Sequence, residues 1–153
     1  KKSGFLYDSS KIDFSKHSLY GGIELSDFEL LNKNIYLKDG FLEFEVSTLH
    51  MLGNTIPVSG GGYLRIFPWT FMKYLLKTYL RTNNIYVLYI HPFELSKRAS
   101  PIFPSTISWH TKKRFSAGRK NVKNKMNHLI KLLKDLDFEF VTFSQLRKKL
   151  ITI

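Results

Sequence analysis

Residues 85–90, Ile-Tyr-Val-Leu-Tyr-Ile, are an unbroken β-branched, aromatic and aliphatic run. The run is too short for a helix, and it is apolar at every position rather than at alternate ones. Such continuity predicts a central strand covered on both faces, as in a parallel sheet. His91-Pro92 closes it, because proline has no N–H to give to a ladder. His91 is thereby expected at the C-terminal tip of that strand, where α/β folds bind ligands and do chemistry. A histidine at such a tip is a site candidate, set against the commoner structural role of a lone histidine.

The elements around this run are predicted from their periods. Residues 34–37 and 41–46 flank Lys38-Asp39-Gly40, and Asp-Gly supplies the positive φ of a tight hairpin turn. In the second arm Leu42, Phe44 and Val46 alternate with Glu43, Glu45 and Ser47, which places the two carboxylates on a wet face and leaves them little part in acid–base chemistry. Phe67-Pro68-Trp69-Thr70 opens a helix, with Phe71, Leu75, Leu76 and Tyr79 directed at the sheet. Strand, glycine loop, helix and strand then make a βαβ crossover. Val122, Met126, Leu129, Ile130, Leu133 and Leu136 line one face of an amphipathic helix with lysines opposite. Residues 138–143 read as a last strand, and Ser144 as the cap of a short helix over residues 145–150. Residues 11–33 show no sustained period and read as a surface connection. Pro101 to Pro104 reads as a rigid link, and residues 109–120 as an irregular basic stretch.

At 153 residues the chain is expected to form one domain over residues 1–153. It has no cysteine, so neither a disulfide framework nor a thiolate metal site is open to it. Lys1-Lys2-Ser3-Gly4 reads as the end of a helix whose body is missing. No apolar segment is long enough to span a bilayer, and the signal-peptide layout is absent. The localisation expected on that ground is cytoplasmic or membrane-peripheral. The formal charge is +12, and residues 97–149 carry most of it, with 14 Lys/Arg against Asp135, Asp137 and Glu139. Lysine outweighs the arginine that phosphate forks prefer, so a solvated face is expected and nucleic acid is not.

Three consecutive glycines, Gly60-Gly61-Gly62, follow Pro57-Val58-Ser59. No Gly-Lys-Ser/Thr follows them, which excludes a phosphate-binding P-loop. They read either as a flexible loop or as a loop pressed against a ligand cleft. Taken with Gly4-Phe5-Leu6-Tyr7-Asp8-Ser9-Ser10, Phe41-Leu42-Glu43-Phe44, Val46-Ser47-Thr48-Leu49, Tyr89-Ile90-His91-Pro92-Phe93-Glu94 and the stretch from Arg114 to Arg119, the chain resembles the polysaccharide deacetylases. These form carbohydrate esterase family four, and the closest likeness is to its exopolysaccharide-associated branch.

The resemblance implies an α/β fold, the C-terminal half of a distorted (β/α) barrel with parallel strands, a β-hairpin and two main helices. It implies hydrolysis of the acetamido group of an N-acetylhexosamine in a polysaccharide substrate. His91 falls at the family's general acid. Tyr89 stands where the acetyl pocket is lined, and Asp8 matches a motif that orients catalytic groups. Gly61, Gly62, Tyr63 and Trp69 are expected to contact sugar. The family's divalent, zinc-like metal is held by one aspartate and two histidines, and a second aspartate is the base. This chain has no Asp-Asp pair and no two histidines four apart. No metal is therefore expected on it alone, and the chain is expected to be inactive by itself. Self-association through an open sheet edge is expected in addition. A non-catalytic module that binds glycan or a protein partner through residues 97–149 is the alternative.

Overall fold

The computed structural model describes residues 4–14, 23–96 and 102–151. The sequence readings on Lys1 to Ser3, on residues 15–22 of the 11–33 connection, on residues 97–100 of the basic stretch and on Pro101 lie outside them. Asp39 and Gly40 take φ of 50° and 76°, the paired positive values of a two-residue hairpin turn. That turn joins β3 (Ile35–Lys38) to β4 (Phe41–Phe44) in antiparallel register. On one side β3 pairs with β2 (Glu29–Asn32), and on the other β4 pairs in parallel with β1 (Tyr7–Asp8). The sheet order is β1-β4-β3-β2. A second hairpin, β5 (Thr48–Met51) with β6 (Asn54–Pro57), turns through Leu52 and Gly53, again both at positive φ.

The helices follow: α1 (Gly61–Ile66), α2 (Trp69–Leu80), α3 (Pro92–Leu95), α4 (Trp109–Ser116), α5 (Arg119–Asp135) and α6 (Phe143–Ile151). The apolar stripe of α2 is Met72, Leu75, Leu76 and Tyr79, while Phe71 is exposed. On α5 the buried residues are Val122, Leu129, Leu132 and Leu133, and Ile130 lies at the surface. Residues 109–116 are helical where an irregular stretch was expected, with Ser108 Oγ accepting from the Thr111 amide. The last helix is capped by Thr142 rather than Ser144, through a reciprocal pair of bonds with Gln145.

The half-barrel of parallel strands is overturned. Among the described residues there is a four-stranded mixed sheet and a two-stranded one, no closed barrel, and strands that precede the helices. Among the described residues the only parallel pairing is β1 with β4, extended by a bridge between Ile12 and Val46. Residues 85–90 and 138–142 run without forming a ladder. For residues 85–90 the reason lies at Ser47, whose amide donates to the Val87 carbonyl at 3.4 Å. The Ser47 carbonyl already accepts from the Val58 amide and the Ser59 hydroxyl, so the Val87 amide bonds to Ser47 Oγ instead, at 2.9 Å. A side chain stands in for the backbone acceptor, and strand pairing stops there.

The run at residues 85–90 is nonetheless packed on both sides. Tyr86, Leu88 and Ile90 join a first apolar cluster built on α2, α5, Leu49, Val58 and Leu64. Ile85 and Val87 join a second, made by Ile35, Leu42 and Phe44 of the sheet with Phe143, Leu146 and Leu150 of α6. Glu43 and Glu45 are corrected as well, since both are buried. The amides of Ser10 and Lys11 donate to Glu43 Oε1, and the Tyr36 hydroxyl donates to Glu45 Oε2. Burial pushes both carboxyls upward, more strongly than these bonds pull them down. No described helix is long and apolar enough to cross a membrane.

Candidate functional site

Proline at the first helical position fixes its own φ and forces an extended residue before it, so His91 becomes the cap of α3 with φ −83° and ψ 143°. The His91 carbonyl accepts from the Glu94 amide at 2.9 Å, and Glu94 Oε2 accepts from the His91 amide at 3.0 Å. Glu94 is itself 1% exposed. Its other oxygen accepts from Arg65 Nε of α1 at 2.8 Å. Arg65 Nη1 then donates to the carbonyls of Phe115 and Ala117. A buried carboxylate and a buried guanidinium are tolerable together because each satisfies the other's hydrogen bonds.

Two glycines make room for this clamp. A Cβ on Gly61 would fall 1.8 Å from Glu94 Oε2, and one on Gly118 would fall 2.2 Å from the Arg65 carbonyl. Gly118 also holds φ at +73°, which favours glycine. Lys125 Nζ of α5 donates to the carbonyls of Arg65 and Phe67, and burial lowers its pKa. The Gly61 amide donates to the Tyr89 carbonyl at 3.0 Å, tying the start of α1 to the end of the 85–90 run.

Against this fixed backbone the His91 side chain is exposed. Its ring stacks on Phe93 at 5.6 Å and 19°, and meets Tyr89 edge-on at 5.5 Å. Phe93 in turn lies beneath the Arg65 guanidinium, 5.8 Å from its ring centre. The ring is thus backed by Phe93 on one face and open to solvent.

Of the expected site residues, Tyr89, His91 and Gly61 come together. Tyr89 also packs over Gly60, whose φ is +91°. Gly62 opens toward Arg65 on α1, and Tyr63 lies edge-on to Phe14. Trp69 heads α2, where its ring lies 5.3 Å from that of His128 and packs on the first apolar cluster. Asp8 is on β1, and its carboxylate accepts from the Ser9 amide and the Ser10 hydroxyl of its own turn. Arg65 and Glu94 were not foreseen as site residues. The only trace of Glu94 in the sequence is its place at the third position of a proline-led turn, which is a capping signal. Among the described residues no group of three or more His, Asp or Glu side chains is placed to hold a metal ion.

What the fold and the site define is a mixed α/β domain in which the backbone of His91 is clamped and its ring is exposed. A family model described as a domain of unknown function (DUF3473) matches residues 9–148, and the chain belongs to that family. Neither the curated proteins nor the solved structures compared with it give a match.

Proposed function

We propose that this domain supplies the general acid of a carbohydrate N-deacetylase, and that His91 is that acid. The observation that carries the reading is the contrast at His91. Its backbone is fixed by the buried Glu94–Arg65 pair, while its ring is exposed and backed by Phe93. Amide hydrolysis expels an amine, a poor leaving group until it is protonated, and an oriented imidazolium meets that need. Tyr89, whose ring meets that of His91, bounds the space for the acyl group. Among the described residues no group of side chains is placed to hold a metal ion, and the reading concerns only what His91 and its neighbours do. The resemblance of Tyr89-Ile90-His91-Pro92-Phe93-Glu94 to the polysaccharide deacetylases supports a polysaccharide substrate.

The test is acetate release from an N-acetylhexosamine oligomer, by protein in which the metal ligands and base are present. His91→Asn should lower kcat by about 10²–10⁴-fold with KM little changed. An unchanged kcat would end the proposal. The same reading extends to self-association, supported by exposed Phe5 and Leu6 leading into β1, a sheet edge without an outer strand among the described residues.

A further inference from the structure

Residues 95–134 hold eight lysines and three arginines and no carboxylate side chain. The period of α5 sorts part of this charge onto one face. Val122, Leu129, Leu132 and Leu133 are buried, while Lys120, Lys123, Lys131 and Lys134, spaced near whole turns, stand exposed on the opposite side. They form a basic stripe about 20 Å long. Among the described residues none of the four makes an ion pair. Such a stripe projects a positive field that complements an anionic surface.

Charge alone is satisfied by water, but the apolar groups beside the stripe are not. Ile102 is 100% exposed, Trp109 64% and Phe115 43%. Phe103 packs against Phe115 at 5.9 Å, which sets Ile102 beside the end of α4, and the chain enters α5 through Gly118 just beyond. Trp109 opens α4, with Lys113 Nζ 4.8 Å from its ring centre. Nucleic acids and acidic glycans turn hydrophilic groups outward and give an aliphatic tip nothing to enter. A bilayer answers all three features: hydrocarbon takes the isoleucine, the interface takes the indole, and lipid phosphates take the ammonium groups. We propose that the α4–α5 corner, with Ile102 and Trp109 foremost, docks on an anionic lipid surface. The inference stands apart from the deacetylase reading, since its measure is membrane binding and not turnover.

The experiment is flotation of the whole chain with phosphatidylcholine vesicles, plain or carrying about 30% phosphatidylglycerol, at low salt and at about 0.5 M salt. Partition onto the anionic vesicles should exceed that onto the plain ones at least about tenfold, and salt should reduce it. Ile102→Ser and Trp109→Ser, which leave the charge unchanged, should each weaken binding about fivefold. Lys120→Glu combined with Lys123→Glu should weaken it at least about tenfold. Ile102 is fully exposed, so its replacement leaves the packed core as it is. The proposal is overturned by equal partition onto the two kinds of vesicle, or by an Ile102→Ser chain that binds as the parent does. Tighter binding to a DNA duplex than to the anionic vesicles would overturn it as well, and would assign the corner to nucleic acid.

Discussion

Glu94 lies in the interior with both of its oxygens hydrogen-bonded, one to Arg65 and one to the His91 amide. Removing it leaves the Arg65 guanidinium buried beside an empty place, so Glu94→Ala should cost about 3–5 kcal/mol in urea unfolding. A loss below about 1 kcal/mol would show that the pair carries no stability. At Leu52 the opposite change is expected. Its φ is +51° and its side chain is 90% exposed. Leu52→Asn should therefore raise stability by about 0.5–1 kcal/mol, because asparagine tolerates this conformation and leucine does not. Glu45 gives a pH signature. Burial, with Asp13 adding, raises its carboxyl above the usual 4.5, so above 4.5 the native state holds more protons than the unfolded chain. Stability then falls as pH rises through that window, and Glu45→Gln should flatten the fall in urea midpoints. Little of this shows in the sequence. Alternation in residues 41–47 assigned the two glutamates to water, because period two separates the faces of a strand without saying that both are covered. Arg65 and Glu94 stand 29 residues apart, and only the fold brings them together.

Elements were legible where a local rule names them. Asp39-Gly40 announces its hairpin, Pro68 announces α2, and period 3.6 announces α5. The β5–β6 hairpin was missed because Leu52 is not a turn residue, and α4 because its helical stretch is mostly polar. The strands expected at residues 85–90 and 138–143 were misread, and for the first of them the reason is specific. Apolar composition predicts extended backbone packed on both sides, but pairing depends on where the neighbour's carbonyls point. Ser47 decides that question. Ser47→Ala strips the Val87 amide of its acceptor and the Tyr79 hydroxyl of a partner at 3.0 Å. We expect a loss of about 1–3 kcal/mol and faster amide exchange at Val87. Unchanged exchange would mean that another acceptor holds that amide. Lys125→Met should cost about 1–3 kcal/mol, since the lysine joins α5 to the carbonyls at the α1–α2 junction.

At the scale of the molecule, the two apolar clusters share few elements. One rests on α2 and α5, the other on the sheet and α6. Phe143 stacks on Phe44 at 4.7 Å and also contacts Tyr7, which fastens α6 to the sheet. Among the described residues β1 ends the sheet with no further strand beyond it, and Phe5 next to it is 71% exposed. Sedimentation should show mass rising with concentration, and Leu6→Lys should suppress that rise. Mass constant at one chain across the range would remove the edge as a docking site.

Residues 85–90 reach into both clusters, Tyr86, Leu88 and Ile90 one way and Ile85 and Val87 the other, like a rivet through two plates. Heat ought therefore to loosen neither plate without the other. A calorimetric scan should show a single peak whose van't Hoff and measured enthalpies agree, and swapping Val87 for serine should draw that peak apart.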